Sequence, residues 1–339
     1  MTAKITSEQA RVMRREFERA ISAVRDSVRL SDVESLIRAN DIDGLIRLLG
    51  LNASTFEPLE NSIRDSFRVG GNYTAEILSP IYVDGLGNIA FTFSMQATEA
   101  TAWLSANAAK LVTEMAEEQQ QMIRERLAYF LLKGTGPRTA ALDLVGRIDT
   151  TTGQRKGGFV GLTSQQAEWV SNARTELETL NPNYLNRGLR DKRLDPIVRK
   201  AIEKGESLTA KQIDAAITSL QNRTLKYRGD VISRHESIKA LRAGQHLSIM
   251  QAVKRGEMDA GDVTKEWDAT GDARTREEHL LMEGQTVPLL MPFTFPDGSR
   301  AQYPSDDSLG APASNLIQCR CKIDYRIDFI GRAKRVRGF

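Results

Sequence analysis

Apolar residues recur at helical spacing over most of the chain. Between positions 13 and 28, five of them fall three or four positions apart, which predicts a helix with one apolar stripe on a surface rich in Arg and Glu. These five are Met13, Phe17, Ile21, Val24 and Val28. Helices are predicted over 6–49, which includes this stripe, and also over 55–67, 98–132, 139–148, 163–180 and most of 184–258. The stripe needs an apolar partner, either the chain's own core, which is the simpler interpretation, or a neighbouring subunit.

Glycines and capping residues predict where these helices begin and end. Gly70-Gly71 is predicted to end one helix, and Gly205 and Gly244 to interrupt the stretch 184–258, because glycine readily adopts the left-handed conformation that stops a helix. Helix starts are predicted where Ser or Thr precedes Glu or Gln by three residues, the spacing of a capping box. This spacing occurs at Thr6, Ser31 and Thr209, and Thr163 is a further predicted cap.

One short region of the first half has a β pattern. Ile81–Val83 and Ile89–Phe93 flank Asp84-Gly-Leu-Gly-Asn88, which predicts a hairpin. Residues 150–161 are rich in Thr and Gly and contain Arg155 and Lys156. Glycines beside basic residues are typical of phosphate binding, but the spacing of a Walker motif is absent, so a flexible surface loop or linker is predicted.

These patterns together predict a predominantly α-helical α+β protein. Three parts are expected: a mainly helical N-terminal region over 1–158 with a short β element at 79–95, a turn-rich α+β module over 159–325, and a basic tail over 326–339. The 339 residues are 40% hydrophobic and 27% charged, which is typical of a globular chain with a substantial core. Without an apolar run of roughly 20 residues or an apolar signal core, the chain is expected to remain in the cytoplasm where it is made and to have no membrane span.

Positive charge is concentrated at the C-terminus. The formal net charge is +3, and residues 331–339 carry four basic groups and no acid, so the remainder carries a net charge of −1. The four are Arg332, Lys334, Arg335 and Arg337. A short basic segment can contact DNA phosphates without recognising sequence. The alternative is a solvated terminus without a partner.

Turn-forming residues are concentrated between Trp267 and Lys322, where both cysteines and one of the three histidines also lie. The segment contains Trp267-x-x-Thr-Gly-Asp-x-Arg-x-Arg-x-x-His279, then Gly284-Gln-x-Val-Pro288, and closes on Cys319-Arg-Cys321. Backbone this irregular has to be held by side chains, and such a segment usually serves a site or an interface.

This order of motifs resembles the C-terminal module of the Mu F-like phage head morphogenesis family, the minor head proteins of tailed bacteriophages. Upstream, Tyr227–Ser237 is similar to the Ala-Arg-Thr-Glu element of that family, with Ser233 and His235 as departures. The resemblance covers about residues 160–325. The residues singled out by it are Arg234, Glu236, Trp267, Gly271, Asp272, Arg274, Arg276, His279, Gly284, Gln285, Pro288, Cys319, Arg320 and Cys321.

The resemblance implies a structural minor head protein that acts in capsid assembly and requires no catalysis. Its expected location is the virion, in the capsid interior or at the portal vertex. Its expected partners are the portal protein, other head proteins and further copies of itself, with genomic DNA as a possible partner of the tail. The alternative is an internal virion protein that is ejected with the genome.

Three kinds of chemistry compete with a purely structural role. His279, Cys319 and Cys321, together with Asp272, offer ligands for zinc, but a one-residue gap strains joint ligation by both sulfurs. No cofactor is therefore expected, and the cysteines are interpreted as small buried residues that close a turn. If they lie on a strand, Arg320 points away from both sulfurs and can pair with Asp272 or Glu278. A thiol nucleophile is disfavoured because no element marks an oxyanion hole.

The last alternative is an enzyme that binds NAD in the manner of the ADP-ribosyltransferases, to which the head morphogenesis module has been likened. Only fragments of that chemistry are present. The residues concerned are Arg234, Glu236, Asp272, Arg274 and Arg276. The simpler interpretation is a partly buried ion-pair network that fixes the shape of the module. Trp267 is interpreted as an apolar anchor beneath the Gly271-Asp272 turn, or as an interface residue.

Overall fold

A computed structural model describes residues 3–79, 81–83, 87–89 and 91–329 of the protein. The helices α1–α12 are Ala3–Asp26, Leu30–Arg38, Ile42–Leu49, Glu57–Leu78, Thr98–Leu104, Lys110–Leu132, Pro137–Val145, Ser164–Glu178, Asp195–Lys204, Ala210–Lys254, Glu277–Leu280 and Ala313–Leu316. The strands β1–β9 are Ile81–Val83, Gly87–Ile89, Arg147–Ile148, Arg155–Lys156, Val263–Asp268, Thr286–Pro288, Phe293–Thr294, Arg300–Ala301 and Lys322–Ile327. A π-helical turn, Ser105–Ala109, separates α5 from α6. The predicted predominantly helical α+β class is confirmed.

A hairpin is present as β1 and β2, which pair antiparallel with Ile81 opposite Ile89, but its second strand is Gly87–Ile89 and not the predicted Ile89–Phe93, since residues 91–93 are not a strand. Residues 84–86 of its loop lie outside the described residues. Two of the capping predictions are also confirmed, because Thr163 and Thr209 each exchange hydrogen bonds with the Gln three residues later. Those at Thr6 and Ser31 are wrong, since α1 and α2 begin before these residues.

The chain forms two compact units, each assembled from separate segments. The first comprises the described residues of Met1–Arg14, Glu60–Ala109 and Val231–Phe339, and the second comprises Arg15–Leu59 and Lys110–Asp230. The domain boundaries predicted at 158 and 325 stay predictions.

The first unit contains a three-stranded antiparallel sheet in the order β6-β5-β9. The central strand β5 alternates buried and partly exposed positions, so that Val263, Lys265 and Trp267 face inward. Trp267 lies opposite Ile323 on β9, and Pro288 lies on the edge strand β6, where a missing amide donor is tolerated. The sheet thus fixes Trp267 at the centre of this unit.

Helices α4 and α10 pack against this sheet. The core between them consists of Ala75, Phe91, Ile249, Ala252, Met258, Val263 and Leu289. Next to it, Phe67 stacks on Trp103 with ring centroids 4.8 Å apart. Because Ala75 of α4 packs here with residues of α10 and the sheet, the C-terminal strands depend on a helix far away in sequence.

Glycine has a different role in these two helices from the one the sequence predicts. The predicted helix end at Gly70-Gly71 and the predicted break at Gly244 are wrong, because α4 continues to Leu78 and α10 is unbroken from Ala210 to Lys254. A Cβ atom on Gly70 would lie 2.1 Å from the carbonyl oxygen of Leu241, and one on Gly244 would lie 2.1 Å from that of Phe67. The glycines therefore allow two helix backbones to touch.

In the second unit, α2 packs on α7 and α6 packs on α8. Residues 157–162, which we call the glycine loop, are buried within this unit. The surface loop or linker predicted over 150–161 is therefore wrong for 157–161, whereas 151–154 are exposed as predicted. Gly157, Gly158 and Gly161 have φ values of 75°, 91° and 94°, a region that side chains with a Cβ rarely adopt. The predicted boundary at 158 falls inside this loop.

Side chains from three helices hold the glycine loop. Buried Arg25 of α1 donates to the carbonyl oxygens of Gly158 and Val160. Gln119 of α6 accepts from the Gly161 amide at 2.7 Å and donates to the Leu162 carbonyl at 2.8 Å. Arg228 of α10 donates to the Gly161 carbonyl at 2.8 Å. The basic and polar groups around these glycines are thus bonded to backbone atoms.

Within the part of the chain that the structure describes, no helix is both long enough and apolar enough to cross a membrane.

Candidate functional site

The turn-rich module is built around Trp267, which has no exposed surface. Its amide donates to the Gln285 carbonyl and its carbonyl accepts from the Gly284 amide, both at 2.9 Å. The Trp267 indole meets the rings of Phe293 and Phe295 edge to face, with centroids 5.3 and 5.5 Å apart. These contacts make Trp267 the apolar anchor of the module, as one of the two sequence interpretations has it.

Beside Trp267 lies a group that we call the thiol–imidazole cluster: His279, Cys319 and Cys321. All three side chains are buried, with exposed fractions of 1–2%. The Nδ1 atom of His279 lies 3.4 Å from Cys321 Sγ and 3.5 Å from Cys319 Sγ. Two segments 40 residues apart in the chain thus bring one ring nitrogen and both thiols to one point.

The pKa values of the two thiols are shifted in opposite directions. Cys319 hydrogen-bonds to Cys321, which lowers the pKa of Cys321 and raises that of Cys319, and burial adds to the rise at Cys319. His279 and the Thr270 backbone amide stabilise the Cys321 thiolate further. The cluster therefore favours a thiolate on Cys321 that faces an imidazole nitrogen. It contains the two parts of a thiol nucleophile, but both sulfurs are buried.

Two ring nitrogens at the cluster have no hydrogen-bond partner among the described residues. They are Trp267 Nε1 and His279 Nε2, and both are buried. The two rings meet edge to face, with centroids 5.7 Å apart. Buried polar groups without a hydrogen-bond partner are costly in a protein core.

Asp272 and Arg320 close the turn that precedes the cluster. The Arg320 guanidinium donates to both carboxylate oxygens of Asp272 at 2.5 Å, and Asp272 also accepts from the Arg274 amide at 3.0 Å. Arg320 holds the pKa of Asp272 well below its usual range. Of the two partners predicted for Arg320, the structure selects Asp272. Gly271 permits this turn, since its φ is 68°.

The second motif, Gly284 to Pro288, attaches β7 to the sheet. The Gln285 side chain accepts from the Thr294 amide at 3.0 Å and donates to the Thr294 carbonyl at 3.1 Å, which replaces one step of a strand ladder. Gly284, with a φ of 73°, turns the chain back toward Trp267. Gln285 thus joins β7 to the segment that begins β6.

The five polar residues predicted to form one network do not all contact one another. Arg274 joins Asp272 at 3.7 Å, whereas Arg276 donates to the Ile317 carbonyl and Arg234 donates to Gln318 at 3.2 Å. These last two contacts tie α10 and the residues before α11 to the segment that leads into Cys319.

Glu236 lies beside the Lys239–Asp307 pair, one helical turn from Lys239 on α10. Its carboxylate is 3.9 Å from His235, and Lys239 pairs with Asp307 at 2.7 Å. Burial raises the pKa of Glu236 to about 7, an effect that Lys239 opposes. Burial also lowers the pKa of His235 to about 4.

Sequence analysis missed a set of buried polar residues beneath the sheet. Lys265 has no exposed surface, donates to Gln302 at 2.6 and 2.8 Å, and has a pKa lowered to about 7 by burial. His246 Nδ1 lies 3.1 Å from the hydroxyl of Tyr325, and burial lowers its pKa to about 3. One signal for Lys265 was available, because it lies in phase with Val263 and Trp267 on the alternating strand.

The basic tail residues Arg332, Lys334, Arg335 and Arg337 lie outside the described residues.

With this geometry in hand, comparison with known proteins gives one result. Residues 192–324 match the family model described as phage Mu protein F like protein. Over this segment, which is less than half of the chain, the sequence is similar to that family. The resemblance seen in the motifs is thereby confirmed, and the matched segment includes every predicted motif residue from Arg234 to Cys321. It indicates a protein of phage head morphogenesis. No curated protein matches the sequence, and no solved structure matches it either.

Proposed function

We propose that this protein is a minor head protein of a tailed phage, which binds the portal protein during head assembly and acts without catalysis. The observation that carries the proposal is the match of residues 192–324 to the Mu F-like family. The structural character of that segment supports it. Backbone turns are fixed by Asp272–Arg320 and by Gln285, so the module presents a predefined surface.

The module also exposes apolar side chains that a partner can cover. Several large hydrophobic residues between positions 280 and 317 are more than 40% exposed. They are Leu280, Leu281, Leu290, Met291, Leu309 and Ile317. Leu281 is the most exposed at 71%, followed by Leu290 and Met291 at 57% each. Exposed apolar residues concentrated in one segment are typical of a surface that docks on another protein.

Mass spectrometry of empty proheads, filled virions and ejected particles tests the assembly role. Presence in proheads, together with co-purification with the portal protein, is the expected result. Absence from proheads contradicts the proposal. Presence in filled virions followed by loss after DNA release identifies the alternative, an internal protein delivered with the genome.

Point variants test whether the module supplies the contact. Leu281→Asp and Met291→Asp place a charge on the exposed apolar residues, and each is expected to lower the amount of protein recovered with the portal at least tenfold. Leu132→Asp is the matched control, because Leu132 is 88% exposed and lies in the other unit. Equal recovery of all three variants with the portal places the contact elsewhere.

The tail is proposed to contact packaged DNA through its four basic residues. Removal of residues 331–339 is expected to weaken binding to DNA of any sequence and to reduce the dependence of binding on salt. If truncated and full-length protein bind DNA equally across a salt series, the tail has no such role.

A further inference from the structure

The thiol–imidazole cluster has the spacing of a metal site. Zinc lies about 2.3 Å from a thiolate sulfur and about 2.0 Å from an imidazole nitrogen, so two such ligands of a tetrahedral ion are about 3.6 Å apart. In this structure Nδ1 of His279 lies 3.4 and 3.5 Å from the two sulfurs. All three donor atoms lie within 4.8 Å of one another. The distances from the nitrogen to both sulfurs therefore match those around a bound zinc ion to within a few tenths of an ångström.

The local backbone removes the objection to a Cys-x-Cys pair. Gln318, directly before Cys319, has a φ of 58°, an uncommon value for a residue with a side chain. The chain therefore turns at this point. The Arg320 side chain leaves for Asp272, while both sulfurs stay beside His279. Arg234 and Arg276 hold this turn through Gln318 and Ile317.

We propose that His279, Cys319 and Cys321 bind one zinc ion, which fastens the end of the Mu F-like module to the segment that carries His279. Two sulfurs and one nitrogen select a borderline or soft cation and exclude Mg²⁺ and Ca²⁺, which prefer oxygen. The protein supplies three ligands, and water fills the fourth position.

The environment of His279 sets the expected strength of binding. With zinc on Nδ1, the ring proton is on Nε2, which is buried with no hydrogen-bond partner among the described residues. Metal-binding histidines normally donate this proton to an acceptor, and loss of such an acceptor weakens binding by about 10–100-fold. Zinc is therefore expected to be removable by a chelator without denaturing the protein.

Cobalt titration of the full chain tests the site. The protein is prepared without a polyhistidine tag, reduced, stripped with a chelator and titrated with Co²⁺. We expect the intense visible bands of tetrahedral cobalt and a thiolate-to-cobalt band in the near ultraviolet, saturating at one ion per chain and abolished by one equivalent of Zn²⁺. Reactivity of both thiols should fall when zinc is bound.

Substitutions identify the ligands. Cys321→Ser and His279→Gln are expected to lose the cobalt absorption, whereas His235→Gln, which replaces a histidine outside the cluster, retains it. Circular dichroism checks folding. If a ligand variant does not fold, the titration of the unaltered protein still tests the proposal.

The absence of a cobalt spectrum in reduced, folded protein overturns the proposal. So does a spectrum unchanged in both ligand variants, or a Cys319–Cys321 disulfide in protein isolated from the cytoplasm with no metal bound. Because the test uses metal binding alone, its outcome is independent of the role in head assembly.

Discussion

The glycine loop and the thiol–imidazole cluster are both irregular, buried and bordered by polar side chains, yet they differ in what those side chains bind. In the loop, Arg25, Gln119 and Arg228 are bonded to backbone atoms. In the cluster, the polar atoms of His279 and the two cysteines face one another. Polar groups that bind backbone fix a shape, whereas polar groups that converge on one point leave room for a ligand.

The largest effect is expected from Gly158→Ala in the glycine loop. A Cβ atom there would lie 2.7 Å from the Gly146 amide nitrogen and 2.9 Å from the Leu144 carbonyl oxygen, at a φ of 91°. Strain and overpacking together should reduce the free energy of unfolding by about 4 kcal/mol, measured by urea denaturation. Gly188→Ala is the control, since open space surrounds Gly188, and it should change stability by less than about 1 kcal/mol. Equal effects of the two substitutions would show that the loop is not tightly packed.

Arg25→Met should have the next largest effect. The variant keeps an apolar stem of similar length but leaves the carbonyls of Gly158 and Val160 without their donor. Two unsatisfied buried acceptors cost about 3 kcal/mol, which urea denaturation would detect. Burial already lowers the pKa of Arg25 to about 10, because a charged guanidinium is unfavourable in the protein interior. Its hydrogen bonds to the two carbonyls offset that unfavourable free energy. Arg19→Met, on the exposed face of the same helix, should cost about 0.5 kcal/mol or less. A similar small loss for Arg25→Met would remove the role given to this guanidinium.

A pH-dependent effect is expected in the module from Glu236→Gln. Burial raises the folded-state pKa of Glu236 from 4.5 to about 7, so the stability linked to its protonated form is complete below pH 4.5 and is lost as the pH rises through 7. The groups around it are His235, Lys239 and Asp307. The variant should match the unaltered protein near pH 4.5 and exceed its stability by about 3 kcal/mol at pH 8. Parallel stability curves for the two proteins from pH 4.5 to 8 would rule out a buried, protonated Glu236.

The smallest effect is expected from Gln285→Glu. The substitution keeps the acceptor for the Thr294 amide but replaces the donor to the Thr294 carbonyl with a second oxygen. One lost hydrogen bond at a partly exposed site costs about 1 kcal/mol, measured by thermal or urea unfolding. Gln285→Ala removes both bonds and should cost slightly more. If neither variant changes stability, the Gln285 side chain does not hold β7 in place.

Local sequence signals were sufficient for part of the fold and for the choice of site. The stripe from Met13 to Val28 is buried at every one of its five positions, and the boxes at Thr163 and Thr209 cap helices as their spacing predicts. Motif order identified the module that the family match then confirmed. Such features depend on residues close together in the chain, so a window of sequence contains them.

Long-range packing explains the errors. Gly70 and Gly244 have the local sequence of helix ends, but in the structure each lies inside a helix where the backbone of another helix is in contact with it. The loop at Gly157–Gly161 has the composition of a linker, and only its partners in α1, α6 and α10 show that it is core. Whether Cys319 and Cys321 could reach one nitrogen depended on the φ of Gln318, which composition does not reveal.

The contact between α4 and α10 affects whether the segment that matches the family can be expressed as a separate fragment. A fragment cut at residues 192 and 324 would keep Gly244 but lose Phe67, Gly70 and Ala75, and with them the surface that covers its sheet. The segment that matches the family is therefore expected to need α4 in order to complete its core in this protein.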